Sequence, residues 1–263
     1  MSHSTEHNSR PEQSATLFIA ASETDSNLYY ATRFIAPDPF IYLEVKGERL
    51  MVMSDLEVDR ARNQATVDRV LSYSELERRA KSQGVKDPGT IDVIHLVLQD
   101  AGLKDILVPP TFPFLHASRL QEMGYRLRTK RDPFYEQRVM KSDDEVRHIE
   151  AAQRATETAV AAAHQHLRRA EIRDNVLWLD GEILTSERVK KLINVALMEC
   201  DCVAQHTIVA GGEQACDPHD EGSGPLPAHR SIIFDVFPRS AGTRYFADMS
   251  RTVVRGTPSP ELT

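Results

Sequence analysis

Two aspartates stand out as residues that could do chemistry together. Asp235 sits in Ile232-Ile233-Phe234-Asp235-Val236-Phe237, among large apolar side chains where an unpaired carboxylate is costly to desolvate. Asp248 sits in Tyr245-Phe246-Ala247-Asp248-Met249-Ser250-Arg251-Thr252. Both runs are rich in β-branched and aromatic residues, which predicts strands over 231–238 and 244–254 joined by an Arg239-Ser240-Ala241-Gly242-Thr243 hairpin loop. A loop symmetric about Ala241 and Gly242 would set the two carboxylates opposite each other. Opposed Cβ atoms lie roughly 4.5–5.5 Å apart, so like charges there repel unless a cation bridges them. Two divalent ions about 3.5–4 Å apart would suit the pair. The blander alternative closes a turn with Asp235 and pairs Asp248 with Arg244 or Arg251, charge pairs being commoner than metal sites.

The elements that must hold this hairpin begin at Ser142-Asp143-Asp144-Glu145, a capping box that opens a long helix through Ala170. Val146, Ile149, Ala152, Ala155, Ala159, Ala163 and Leu167 recur at three- and four-residue steps, a narrow alanine-rich stripe able to approach a sheet closely. A second helix runs from Leu184 to Cys200, with Thr185 or Ser186 as its N-cap. Upstream, the apolar runs 17–20, 40–45, 50–53 and 106–108 alternate with helical patterns, an α/β order. Within it 41–53 reads as a hairpin turning at Lys46-Gly47-Glu48-Arg49, and helices are expected from Ser72 and over Ile91–Asp100, closed by Gly102. Pro133 marks a break near residues 131–140. The expected layout is a loose tail over 1–14, an α/β domain over 15–137 and a second domain over 141–263.

A net charge of -7 with no basic stripe argues against nucleic acid as a partner. No 18-residue apolar run and no signal-like start appears, so no membrane partner is expected and a cytoplasmic location is the default. Cys200, Cys202 and Cys216 form an odd set, read as buried free thiols rather than a disulfide framework. With His219 they lack the paired clips of a zinc site. His164-x-His166 reads as a polar helix face, and Gly211-Gly212 lacks a phosphate-binding lysine.

Phe234-Asp235-Val236-Phe237-Pro238 followed by Tyr245-Phe246-Ala247-Asp248-Met249-Ser250-Arg251-Thr252-Val253-Val254 and Gly256 resembles the first metal-ligand block of the pita-bread metallopeptidases. Ile208-Val209-Ala210-Gly211-Gly212, Pro218-His219-Asp220 and Gly224-Pro225-Leu226 resemble the glycine-containing block and Pro-His pair that precede it. Ser26-Asn27-Leu28-Tyr29-Tyr30 with Pro37-Asp38-Pro39-Phe40-Ile41-Tyr42-Leu43 is similar to the creatinase-type N-terminal domain of Xaa-Pro aminopeptidases and prolidases.

The resemblance implies a creatinase-like α/β domain followed by the first half of an α+β pita-bread domain. It implies hydrolysis of Xaa-Pro bonds in dipeptides or short peptides, with Asp235 and Asp248 as ligands of two divalent ions (Mn, Co or Zn) and His219 as the catalytic, substrate-binding histidine. It further implies a proline-containing peptide as partner and a homodimer. Twelve residues separate the aspartates, two more than in familiar members, which preserves the parity of the pairing. The family's later His and two later Glu ligands have no counterpart, because no His follows His229 and Glu261 is the last Glu. The expectation is therefore a C-terminally truncated chain that is inactive alone. One alternative is a non-catalytic binding or assembly subunit. Another is a creatinase-like amidinohydrolase, which would have no use for the two aspartates.

Overall fold

The computed structural model describes residues 14–262, in two compact units, Met1–Val139 and Met140–Thr263. The expected tail falls outside the described residues except for Ser14, which opens the first strand.

The first unit runs β1 (Ser14–Ala20), α1 (Ser26–Thr32), β2 (Phe40–Val45), β3 (Glu48–Met53), α2 (Val58–Gln64) and β4 (Arg69–Ser72). It continues through α3 (Tyr73–Ser82), α4 (Thr90–Ala101), β5 (Asp105–Val108), α5 (Phe114–Glu122) and β6 (Arg126–Thr129). Among the described residues the sheet is ordered β4-β3-β2-β1-β5-β6, parallel but for β2. Leu17 and Phe18 are adjacent in sequence and both fully buried, because helices cover both faces. Leu17, Ile41 and Leu43 share a cluster with Val93, Ile94 and Leu98 of α4, whereas Phe18, Tyr42 and Met51 share one with Leu28 of α1 and Val58 of α2. Strands buried on both sides need the near-continuous apolar runs found here. The expected β2–β3 hairpin forms, with Lys46 at φ 52° and Gly47 at φ 84°, the two left-handed positions of a type I′ turn.

In the second unit α6 (Asp143–Arg169) starts at the expected capping box: Glu145 N–H donates to Ser142 Oγ at 3.3 Å, and Ser142 N–H to Glu145 Oε2 at 2.9 Å. A meander follows, β7 (Glu171–Arg173), β8 (Val176–Leu179) and β9 (Glu182–Ile183), then α7 (Ser186–Met198). The remaining strands are β10 (Cys202–Val203), β11 (Ile208–Gly211), β12 (Ser231–Val236), β13 (Arg239–Ser240) and β14 (Met249–Val254). They form a β11-β12-β14 sheet and a β10-β13 pair. Ala155, Ala159 and Ala163 of α6 pack with Ile193 and Leu197 of α7 and with Ile232, Phe234 and Val236 of β12. The apolar stripe of α6 starts later than expected: Val146 is 42% exposed, and burial sets in at Ala152. Cys202 is buried while Cys200 and Cys216 are exposed free thiols, so the expectation of buried cysteines is corrected at two positions.

His164 on α6 meets Phe234 edge-on at 5.4 Å between ring centres, and its Nε2 is buried without a hydrogen-bond partner among the described residues. Burial, then the charges of Arg168 and Arg251, hold its pKa below the usual imidazole value. A lowered folded-state pKa means that the contribution is fully present above the unfolded value of about 6.5 and is lost as pH falls through the folded value. We therefore expect the urea midpoint to drop further between about pH 7.5 and 5.5 in the wild type than in His164→Leu. Parallel losses in the two proteins would exclude this imidazole as the source.

Candidate functional site

Alternation along β12 turns Ile232, Phe234 and Val236 into the core and leaves Ser231, Ile233 and Asp235 on the other face. Asp235 lies between Ile208 of β11 and Ser250 of β14, and Ser250 Oγ donates to Asp235 Oδ1 at 2.6 Å. The partner across the strands is thus Ser250 and not Asp248, which corrects the expected facing pair.

The turn explains the shift. Gly242 does not take the left-handed position; Arg244 does, at φ 65°, so the loop is Ala241–Arg244 and closes with Arg244 N–H to Ser240 O at 3.0 Å and Ser240 N–H to Tyr245 O at 2.9 Å. Moving the centre of a hairpin by one residue moves its register by two and keeps every side chain on its face. Strand β12 also stops at Val236, short of the expected Pro238, which has no N–H to give the ladder. The return strand starts at Met249 rather than Arg244. Asp248, exposed between buried Ala247 and Met249, therefore lies on the face of Asp235, diagonal to it. Diagonal neighbours on one face are roughly 7–8 Å apart, wider than the opposed pair that the sequence suggested. Asp248 has no hydrogen-bond or ion-pair partner among the described residues, so neither Arg244 nor Arg251 neutralises it.

His219 is carried by a loop hung on β11 and α7. Its N–H donates to Asp217 Oδ1 at 2.9 Å, and its imidazole makes no hydrogen bond to either aspartate among the described residues. Val209 N–H donates to Glu221 O at 3.0 Å, and Gly222, at φ 79°, presses on the Val209 carbonyl. From α7, Lys190 Nζ donates to Gly222 O at 2.8 Å, and Ser186 N–H to Gly224 O at 2.9 Å. Gly224 N–H donates to the Glu187 carboxylate at 3.0 Å, the main cause of that group's lowered pKa. These fasteners escaped the sequence reading, as did Tyr245, whose hydroxyl donates to the buried Glu145 at 2.6 Å and pins the approach to Asp248. Gly222 and Gly224, flanking Ser223, were the available signal.

Two carboxylates on one open face are hard oxygen donors of the kind divalent ions take. They are fewer than a two-ion centre needs. Among the described residues no three His, Cys, Asp or Glu side chains gather where they could hold a metal. No chemical step through a metal follows from this arrangement alone.

Residues 147–263, which include the His219 loop and the whole hairpin, match the model of metallopeptidase family M24. The second unit belongs to that family. Among solved structures the chain is similar to an Xaa-Pro dipeptidase from Bacillus anthracis, with a TM-score of 0.75 and 15% identity over 94% of this chain and 62% of that one. It is similar to an X-Pro aminopeptidase from Thermotoga maritima, with a TM-score of 0.73 and 19% identity over 95% and 65% of the two chains. A prolidase from Pyrococcus furiosus gives 0.68 and 16% over 94% and 64%. The fold is thus that of these enzymes, an N-terminal α/β unit followed by a unit of the pita-bread type, and the chain spans under two thirds of their length. No curated protein matches the sequence. No helix of the described residues is long and apolar enough to cross a membrane.

Proposed function

We propose that the protein serves metal-dependent hydrolysis of Xaa-Pro bonds in dipeptides or short peptides. The observation that carries this reading is the family match over 147–263, which includes Asp235 of β12 and Asp248, the residue before β14. In it the two carboxylates hold divalent cation (Mn, Co or Zn), and His219 holds the substrate.

The reading is tested on two proteins. For the 263-residue chain, calorimetric titration with Mn²⁺ should show weak binding that Asp235→Asn and Asp248→Asn abolish, and no cleavage of alanyl-proline, because water fills the coordination positions that fixed ligands would take. Native material above 29.6 kDa should cleave it and lose on the order of 100-fold or more in kcat on Asp248→Asn. Robust cleavage by the 263-residue chain would show that the ligands are misassigned. The absence of a third ligand among the described residues favours a second reading, a non-catalytic subunit. Native material of 29.6 kDa without hydrolysis would support it.

A further inference from the structure

The carboxyl ends of the parallel strands of the first unit open into a cavity of 530 Å³. From β1 the chain passes through α1 to β2 on one side of it; from β4 it passes through α3 and α4 to β5 on the other. The winding reverses between β1 and β5, and the cavity lies beside that reversal, over the carboxyl ends of β1 and β3 and the amino end of β2. Ile19, Phe40, Val52 and Met53 supply apolar lining, and Leu56, 95% exposed, stands at the rim.

Besides Glu57, five polar side chains line the cavity: Asp38, Ser54, Tyr73, Thr90 and His116. None has a hydrogen-bond or ion-pair partner among the described residues. The other acid, Glu57, is engaged by Arg60 Nε at 2.7 Å. Among the described residues no lysine or arginine lines the space, and burial lowers the pKa of His116, which favours its uncharged form. A nucleotide, phosphate or carboxylate would meet the charge of Asp38 with no cation to offset it. An ammonium group would find in Asp38 an unpaired counter-charge beside apolar surface, the usual composition of a small-molecule site.

We propose that this cavity is a ligand site in its own right, taking a small organic cation with an apolar body, its charged end toward Asp38. The proposal stands on the first unit and is independent of the peptidase reading. It is tested by titrating phenethylamine and the matched anion hydrocinnamate into the 263-residue protein, followed by proton–nitrogen correlation NMR. The amine should shift the amides of Ile19, Met53 and Tyr73, and the anion at equal concentration should not. Asp38→Asn, at an exposed position, should weaken the amine by about two- to fivefold, the size of an exposed ion pair. Ser54→Arg, also exposed, adds a cation to the lining and should reverse the preference. Shifts confined to other residues, equal binding of amine and anion, or unchanged affinity in Asp38→Asn would each overturn it.

Discussion

Gly222→Ala should destabilise the second unit by on the order of 3–5 kcal/mol, read as a lower urea midpoint at unchanged slope. A Cβ at this position would lie 2.0 Å from the Val209 carbonyl oxygen and 2.8 Å from Ala210 Cα, both backbone atoms of β11. Neither can move aside without disturbing the pairing of Val209 with Phe234. The left-handed φ of 79° adds strain for any residue with a side chain. Gly224→Ala is the control: its φ of 70° carries the same strain, but a Cβ there meets nothing within 4 Å, so about 1–2 kcal/mol is expected. Similar losses in both variants would mean that the loop gives way and that contact with β11 does not hold His219 in place.

Phe234→Ala should cost about 3–5 kcal/mol and weaken the whole second unit at once. Its ring is fully buried where α6, α7 and β12 meet, and it faces the His164 imidazole. Truncation leaves a void that the alanines of α6 are too small to fill. It also removes the residue that turns Asp235 outward, because the core side of β12 is set by Ile232, Phe234 and Val236. Denaturation followed by far-ultraviolet circular dichroism measures the loss. A cost under about 1.5 kcal/mol would show that the site collapses around the gap.

The sequence disclosed the long elements and the faces they bury. Ser142 and Glu145 announced α6, Lys46-Gly47 announced the first hairpin, and the apolar runs of the first unit announced an α/β order, which the structure shows as a sheet covered on both faces. Short elements were less legible. The meander turns at Asp174-Asn175 and Asp180-Gly181, all four residues with positive φ, were readable as type I′ turns, but their two- to four-residue strands are too short to show a period. β10 and β13 have two residues each and are defined by each other. The site was legible by residue type and by face but not by register, since that depends on which residue of the turn takes left-handed φ. Glycine was the natural choice on steric grounds, and an arginine occupies the position. Hydrogen bonds that bind remote segments, such as Lys190 to Gly222 and Tyr245 to Glu145, leave no periodic trace in a sequence.

The closure of the hairpin at Ser240 and Tyr245 bears on how this region can drift. Asp235 opposite Ser250 and Arg239 opposite Phe246 belong to one continuous register, and Arg239 and Ser240 are separately held by Val203 and Cys202. Arg244 N–H still closes on Ser240 O and Ala241 N–H is tied to Asp201 O, so only the tip between them, Gly242 and Thr243, lies beyond the closing bonds, and the sheet does not sense how many residues it holds. Extra length is thus invisible to the carboxylates, and insertions or deletions can accumulate at the tip without moving Asp235 or Asp248. The same change between Val236 and Arg239 would put one of them out of step.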